Sequence, residues 1–170
     1  LLKKHNAKAT FFCIGKYIEA YPKVFSDIIK QGHTVGNHTY SHTKFFGFLK
    51  TEDVIEELQK TNDIVEVSSG LTMQLYRPAF AVTNPRIKKA LKVTKLLSIG
   101  WSVRSLDTTA RTSEMIFKRT TKNLSKGDVV LLHDTSLKSI VVLERLLLFL
   151  HEQNMESVTI DSLFNIKAYA

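Results

Sequence analysis

The stretch Gly36-Asn37-His38-Thr39-Tyr40-Ser41-His42 places two histidines four residues apart, directly after a short apolar segment. Neutral imidazole is the side chain that most often binds first-row metals, and on a helix this spacing brings both rings to one face. The hydroxyl groups of Thr39 and Ser41 are positioned to hold the second ring nitrogens. From this stretch alone two interpretations stay open, a pair of metal ligands or two surface histidines at the start of a helix.

Length and composition indicate one ordinary globular domain over residues 1–170. Hydrophobic residues make up 44% of the chain and charged residues 24%, which excludes disordered and fibrous classes. Glu144 and Arg145 interrupt the longest apolar runs, so we expect no segment that spans a membrane. The single cysteine, Cys13, excludes an internal disulfide.

The chain is basic, with a formal net charge of +8. Such a charge suits an anionic partner, for example nucleic acid or an acidic cell-wall polymer. The lysines are nevertheless spread along the chain, without an arginine-rich run or a basic patch interleaved with aromatic residues. We therefore expect a solvated basic surface and no nucleic-acid site.

Apolar runs and helical patterns alternate along the sequence. We predict strands over residues 7–14, 33–38, 72–80, 95–103, 129–133 and 155–160, and helices that begin near Pro22, Thr51, Asn84-Pro85, Thr112 and Ser139. Strands that are nearly continuous in apolar residues and alternate with helices indicate parallel β-structure in an α/β fold.

Several polar residues follow the predicted ends of strands: His38, His42, Arg77, Asp107 and His133. Active sites of α/β folds are built at that edge, so the placement predicts a functional site. Each residue also has a structural interpretation. Arg77 could form a surface ion pair, Asp107 could cap a turn, and His133 could be a strand-end histidine with local partners.

Four motifs in this order resemble the polysaccharide deacetylases, the carbohydrate esterases of family 4 (CE4) that share the NodB homology domain. Besides the histidine stretch, the resemblance rests on Arg77-Pro78-Ala79-Phe80, on Trp101 to Asp107 and on Leu131-Leu132-His133. It extends over essentially the whole chain. The resemblance implies a distorted (β/α) barrel and metal-assisted hydrolysis of an acetyl group on a sugar, usually the carbon–nitrogen bond of N-acetylglucosamine.

The resemblance also implies catalytic roles. His38 and His42 would be two of three protein ligands of a divalent ion, commonly zinc, which polarises the acetyl carbonyl and activates water. Arg77 would pair with the catalytic carboxylate and orient it. His133 would be the general acid, and Asp107 would hydrogen-bond His133 and favour its protonated form.

Four further residues are candidates for substrate binding. By the resemblance, the backbone N–H of Phe80 would help to hold the oxyanion, and Leu131 would wall the pocket for the acetyl methyl group. Trp101 would either stack on a sugar or belong to the core. Arg104 stands where the family usually has an aspartate, so it would either favour an acidic sugar or replace a structural contact.

One family motif is missing. The first strand of the family carries two adjacent aspartates, the general base and the third metal ligand, whereas these 170 residues contain no Asp-Asp pair. Leu1 to His5 resemble the last turn of a helix. We therefore expect a domain that is truncated at its N-terminus and lacks the first strand, with an inactive remnant as the alternative. Without the carboxylate, His38 and His42 should hold an ion weakly.

Two functions follow from these features. The first is a metal-dependent deacetylase of an acetylated polysaccharide or oligosaccharide, and the alternative is a catalytically inactive family member that binds glycan. By the resemblance, the protein would be located at the cell envelope or be secreted. The sequence leaves open which glycan is bound, whether N- or O-acetyl groups are removed, which metal is used, and the oligomeric state.

Overall fold

A computed structural model of the chain describes residues 1–110 and 112–170. The described residues form two compact units. The larger unit consists of Thr10–Gly100 and Thr159–Ala170, and the smaller unit of Leu1–Ala9 and Trp101–Val158. Both contain parallel strands and helices, which confirms the predicted α/β class.

The larger unit contains four strands and five helices among the described residues. In chain order these are β1 (Thr10–Cys13), α1 (Gly15–Ala20), α2 (Pro22–Lys30), β2 (Thr34–Asn37), α3 (Thr51–Ser69), β3 (Leu75–Tyr76), α4 (Pro85–Thr94), β4 (Leu97–Ser98) and a final helix over Ile160–Phe164. Short 3₁₀ turns cover Phe46–Phe48 and Ala79–Ala81.

The four strands form one parallel sheet in the order β1-β2-β3-β4. The pairing places Phe12 beside Gly36, and Asn37 beside Tyr76. A Cβ atom at Gly36 would lie 2.7 Å from the Phe12 ring and 3.2 Å from the carbonyl oxygen of Leu75. Glycine at position 36 therefore lets the Phe12 ring of β1 lie directly against the backbone of β2.

Helix α3 packs against the sheet through one apolar face, on which Val54, Leu58 and Val65 are fully buried. Their spacing of four and seven residues is typical of an amphipathic helix. Val54 and Leu58 pack with Phe46 and Tyr76 in one apolar cluster, whereas Val65 belongs to a second cluster. The sheet of the larger unit is thus held to α3 by hydrophobic burial.

The predicted ends of helices are largely confirmed. The side chain of Asn84 accepts a hydrogen bond from the backbone N–H of Ile87 and caps α4, whose first residue is Pro85. Helix α3 ends at Gly70, which has a left-handed φ of 71°.

The smaller unit contains β5 (Val103–Arg104), α5 (Ser113–Thr121), β6 (Val130–Leu131) and α6 (Leu137–Glu152). Strands β5 and β6 pair in parallel. The hydroxyl of Thr112 caps α5 as predicted, and Ser136 caps α6. The final helix of the larger unit, Ile160–Phe164, follows as α7. No helix among the described residues is long and apolar enough to cross a bilayer.

Three predicted strands differ from the structure. The strand predicted over residues 72–80 is limited to Leu75–Tyr76. The backbone N–H of Arg77 still donates to the carbonyl of Asn37, but Pro78 has no N–H to donate and a 3₁₀ turn follows at Ala79. The strand predicted over 95–103 is two strands, Leu97–Ser98 and Val103–Arg104, which lie in different sheets.

The strand predicted over residues 155–160 is wrong. Residues 155–159 have no regular structure, and Ile160 begins a helix. The backbone N–H of Lys8 donates to the carbonyl of Ser157, but the hydroxyl of Ser157, rather than a backbone amide, donates to the carbonyl of Lys8. The hydroxyl of Ser157 thus makes the hydrogen bond to Lys8 that a backbone N–H would make between paired β-strands.

Replacing Gly36 with alanine should destabilise the protein by about 1–3 kcal/mol, because the new methyl group must displace the Phe12 ring. Gly100→Ala is the matched control, since a Cβ at Gly100 meets nothing within 4 Å. Urea unfolding at neutral pH would compare the two variants. Equal stabilities of Gly36→Ala and Gly100→Ala would show that the contact with Phe12 does not constrain the sheet.

Candidate functional site

The histidine stretch of the larger unit forms a loop after β2, not the start of a helix. Both Thr39 and His42 have left-handed backbone conformations, with φ values of 67° and 51°. This path brings the rings of His38 and His42 to a centroid distance of 4.8 Å. The two rings are therefore neighbours, although a strained loop rather than the expected helical turn brings them together, and their role as metal ligands remains a prediction.

A backbone carbonyl fixes the tautomer of His38. Its Nδ1 lies 2.8 Å from the carbonyl oxygen of Arg77. A carbonyl oxygen only accepts hydrogen bonds, so Nδ1 carries the proton and Nε2 of the neutral ring carries the lone pair. The expectation that a loop hydroxyl holds this nitrogen is wrong for His38. The hydroxyl of Thr39 instead accepts the backbone N–H of His42.

Two imidazoles with one preset lone pair fit two positions in the coordination sphere of a divalent ion, and a ring held through Nδ1 by a carbonyl is the usual arrangement for a histidine ligand. Among residues 1–110 and 112–170, however, no group of three or more His, Cys, Asp or Glu side chains is placed to hold an ion. Ligation of an ion by His38 and His42 therefore remains a prediction.

Phe80 lies beside the histidine pair. Its ring is half exposed and packs on the ring of His42 at a centroid distance of 4.4 Å. Phe80 and Ala81 both have left-handed φ values, 53° and 61°. Strained backbone of this kind is often found at functional sites. The role of the Phe80 N–H as an oxyanion donor remains a prediction.

Arg77 is buried, which rules out the interpretation as a surface ion pair. Its guanidinium donates to the carbonyls of Ile99 and Gly100 and packs on the ring of Phe12 at 4.3 Å. Burial lowers the pKa of Arg77 to about 10, so the group stays charged at neutral pH. Its pairing with a catalytic carboxylate remains a prediction.

In the smaller unit, His133 and Asp107 form a hydrogen-bonded pair. Nδ1 of His133 lies 2.8 Å from Oδ1 of Asp107, and the backbone N–H of His133 donates to Oδ2 at 2.6 Å. The carboxylate is fully buried, whereas the imidazole is 42% exposed. Because an ionised carboxylate only accepts, Nδ1 carries a proton and Nε2 is the atom that can exchange one with a substrate.

Two serine hydroxyls complete the environment of Asp107. Ser105 donates to Oδ1 and Ser139 donates to Oδ2, both at 2.9 Å. Burial alone would raise the pKa of the Asp107 carboxyl, but the hydrogen bonds from His133, Ser105 and Ser139 together outweigh burial and hold the pKa well below its usual range. Asp107 is therefore ionised at neutral pH, in contact with His133.

The remaining candidates of the smaller unit lie on or beside its two strands. Arg104 and Leu131 are direct partners in the β5–β6 ladder. Leu131 and Trp101 are partly buried, whereas Arg104 is exposed and its carbonyl accepts a hydrogen bond from Arg119. The substrate roles of Trp101, Arg104 and Leu131 remain predictions.

Sequence reasoning missed the residues that hold these groups in place. Ser105 is separated from Asp107 by one residue, which is a recognisable local pattern for a serine that binds an aspartate. Ser139 lies 32 residues from Asp107, and Glu57, whose carboxylate accepts the backbone N–H groups of Tyr40 and Ser41, lies 16 residues after Ser41. No local pattern connects either of them to the residue that it supports.

Comparison with known proteins gives one family and several relatives. The sequence profile described as polysaccharide deacetylase matches residues 1–97. The peptidoglycan-N-acetylmuramic acid deacetylase PdaC of Bacillus subtilis is 29% identical, and the peptidoglycan-N-acetylglucosamine deacetylase PgdA of Listeria monocytogenes is 30% identical, each over 98% of this chain. Each alignment covers 35% of the relative, so the chain spans about a third of the length of these curated relatives.

Solved structures show the same fold. The structure of PdaC from B. subtilis matches 96% of this chain and 79% of its own chain, with a TM-score of 0.90 and 28% identity. BA3943 of Bacillus anthracis, a CE4 family pseudoenzyme, matches 95% of this chain and 57% of its own, with a TM-score of 0.87 and 26% identity. These similarities confirm the predicted α/β fold of the NodB type.

The depressed pKa of Asp107 makes part of the stability of the protein depend on pH. Because the pKa in the folded state lies below the unfolded value of about 3.9, the contribution is present above about pH 4 and is lost as the pH falls through the folded pKa. Asp107→Asn should therefore be less stable than wild type at pH 7, and the difference should narrow as the pH falls below about 4.

Urea unfolding from pH 7 to about pH 3 would test this prediction, with the exposed Asp134→Asn as the matched control. The control should differ little from wild type throughout. If the free energies of unfolding of Asp107→Asn and wild type differ by the same amount at every pH, the charge of Asp107 does not stabilise the fold.

Proposed function

The chain belongs to the polysaccharide deacetylase family, and we propose that it removes acetyl groups from an acetylated glycan. The buried Asp107 carboxylate with its hydrogen-bonded, partly exposed His133 is the observation that carries this proposal. A buried anion that fixes the tautomer of an accessible imidazole is the arrangement used for acid–base catalysis.

The proposed reaction is hydrolysis of the acetamide of an amino sugar. Water adds to the acetyl carbonyl carbon, the carbon–nitrogen bond breaks, and acetate and the free amine are released. Of the two protons of the water, one restores the proton that the nitrogen takes from His133, and the other passes to solvent. The amine is a poor leaving group until it is protonated. In its protonated form His133, held by Asp107 through Nδ1, would donate the Nε2 proton to the leaving nitrogen.

His38 and His42 would hold a divalent ion, with Nε2 of His38 as one ligand atom. When bound, such an ion, for which zinc is the first candidate, polarises a carbonyl and acidifies water. The carbonyl of Arg77 keeps the His38 lone pair available, and the ring of Phe80 limits the rotation of His42.

Other residues are proposed to contact the glycan. The backbone N–H of Phe80 would donate to the oxygen that gains charge during the reaction, which stabilises the transition state. Leu131 would contact the acetyl methyl group, and Trp101 would present a face to a sugar ring. The exposed, positively charged Arg104 would favour an acidic sugar.

Peptidoglycan is the substrate that we propose first. Both curated relatives described above are named for deacetylation of peptidoglycan, one at N-acetylglucosamine and the other at N-acetylmuramic acid. N-Acetylmuramic acid carries a carboxylate, and the net charge of +8 suits an acidic polymer. This substrate would place the protein at the cell envelope.

A second function is glycan binding without hydrolysis. One observation favours it, since the described residues include no group of three potential metal ligands. The similarity to the pseudoenzyme BA3943 shows that the fold also occurs without activity. In this case the protein would retain glycan but release no acetate.

Acetate release from N-acetylglucosamine oligomers and from peptidoglycan, with added Zn²⁺ or Co²⁺, distinguishes the two functions. We expect acetate to be released, a chelator to stop the release, and His133→Ala to lower the rate by about 10²–10⁴-fold because the proton donor is lost. His151→Ala, which replaces an exposed histidine near the end of α6, is the matched control and should keep its activity.

Binding of the oligomer without acetate release, under conditions that support metal binding, would favour the glycan-binding function. Unchanged activity of His133→Ala would contradict the role of His133 as general acid, even if acetate is released.

A further inference from the structure

We propose that Glu57 on α3 is a positioning residue, which fixes the loop His38–His42 so that its two imidazoles can bind one ion. This inference rests on the proposed ligation of a metal by His38 and His42. It concerns only residues of the larger unit, and it assigns a carboxylate that lies outside the four sequence motifs.

The loop needs support because its backbone is strained. Thr39 and His42 both have left-handed φ values, and neither is a glycine. Such a conformation costs about 1 kcal/mol or more for each non-glycine residue, so the surrounding structure must compensate for it. Without that support the chain between the two histidines would relax, and the separation of the rings would change.

Helix α1 holds the carbonyl side of the loop. The backbone N–H groups of Gly15 and Lys16, at the start of α1, donate to the carbonyls of Thr39 and Tyr40 at 2.9 and 3.1 Å. A Cβ atom at Gly15 would lie 2.8 Å from the Tyr40 ring and 2.7 Å from the hydroxyl of Thr61. This close packing fixes the distance between the loop and α1.

Glu57 accepts hydrogen bonds from backbone N–H groups of the loop. A single carboxylate oxygen, Oε2, accepts the backbone N–H groups of both Tyr40 and Ser41, at 3.1 and 2.8 Å. These are consecutive amides in the middle of the loop, between the two histidines. Hydrogen bonds to an ionised acceptor are about twice as strong as neutral ones, so Glu57 makes the strongest contacts to this backbone segment that α3 provides.

Asn37 fixes the start of the loop to the same helix. Its Oδ1 accepts the backbone N–H of Thr39 at 2.9 Å, and its Nδ2 donates to the carbonyl of Leu58 and to Oδ1 of Asn62, both at 2.8 Å. Asn37 is fully buried. Helix α3 therefore holds the loop through a neutral amide at its start and a charged carboxylate at its centre.

Together these contacts satisfy each backbone N–H from His38 to His42. The acceptors, in order, are the Cys13 carbonyl, Asn37 Oδ1, Glu57 Oε2 twice, and the Thr39 hydroxyl. Glu57 accepts two of these five hydrogen bonds through one oxygen atom. Its loss would therefore release the part of the loop that sets the distance between the imidazoles.

Three substitutions separate positioning from general stability. Glu57→Ala removes both hydrogen bonds. Glu57→Gln keeps a carbonyl oxygen that can accept both amides, because a single oxygen of Glu57 does so in the structure. Glu56→Ala is the matched control, since Glu56 is exposed on the same helix.

The first measurement is made on the metal-free protein by NMR. Ring centroids 4.8 Å apart are close enough for a nuclear Overhauser effect between the protons of His38 and His42. We expect this signal, and slow hydrogen exchange of the Tyr40 and Ser41 amides, in wild type, Glu57→Gln and Glu56→Ala. Both should be lost in Glu57→Ala. An unchanged ring-to-ring signal in a folded Glu57→Ala variant would overturn the proposal.

The second measurement is the affinity for Co²⁺, followed by its visible absorption. Glu57→Ala should bind Co²⁺ about 10-fold or more weakly than wild type, and Glu57→Gln should restore most of the affinity. Equal weakening by Glu57→Ala and Glu57→Gln, or by Glu56→Ala, would contradict positioning through the loop amides. Wild type that binds no Co²⁺ would contradict the proposed metal site, whereas the NMR result would still decide the role of Glu57.

If Glu57→Ala fails to fold, Glu57→Asp takes its place. The shorter side chain keeps the charge but cannot reach both amides, so the same loss of the ring-to-ring signal and of Co²⁺ affinity is expected. Retention of both in Glu57→Asp would overturn the proposal.

Discussion

The structure depends on satisfying polar side chains that are buried directly after parallel strands. Asn37 is such a buried polar residue at the end of β2, and Asp107 is one shortly after β5. A buried polar group without a partner costs about 1–3 kcal/mol, so each must be surrounded by donors and acceptors supplied by neighbouring elements. Meeting that requirement fixes the loops, and the fixed loops hold His38, His42 and His133 in defined orientations.

In both units, backbone or carboxylate acceptors set the tautomer of a histidine. The Arg77 carbonyl leaves the lone pair of His38 on Nε2, and the Asp107 carboxylate does the same for neutral His133. The first arrangement suits a ligand that must donate electrons to an ion. The second suits a group that must gain and lose a proton, because the buried carboxylate of Asp107 orients the ring through Nδ1 and leaves Nε2 to exchange the proton.

Local patterns in the sequence predicted the features that depend on near neighbours. Asn84 and Thr112 cap helices as expected, and Arg77 and His133 follow strands as expected, because caps and strand ends are decided within a few residues. The spacing of His38 and His42 suggested a helical turn, whereas a loop with left-handed residues brings the two rings together, and no local pattern indicated that loop.

Features set by distant partners could not be predicted in this way. Residues 155–160 have the apolar character of a strand, but the Ser157 hydroxyl takes the place of a backbone donor. Ser139 and Glu57 reach their partners from helices far along the chain, and only the fold reveals those partners.

The most direct test of the proposed function is hydrolysis of an N-acetylglucosamine oligomer by the protein with added Zn²⁺ in oxygen-18-labelled water. Deacetylation by this protein would give labelled acetate and a free amine on the sugar, whereas an oligomer that binds but keeps every acetyl group would contradict the proposed function.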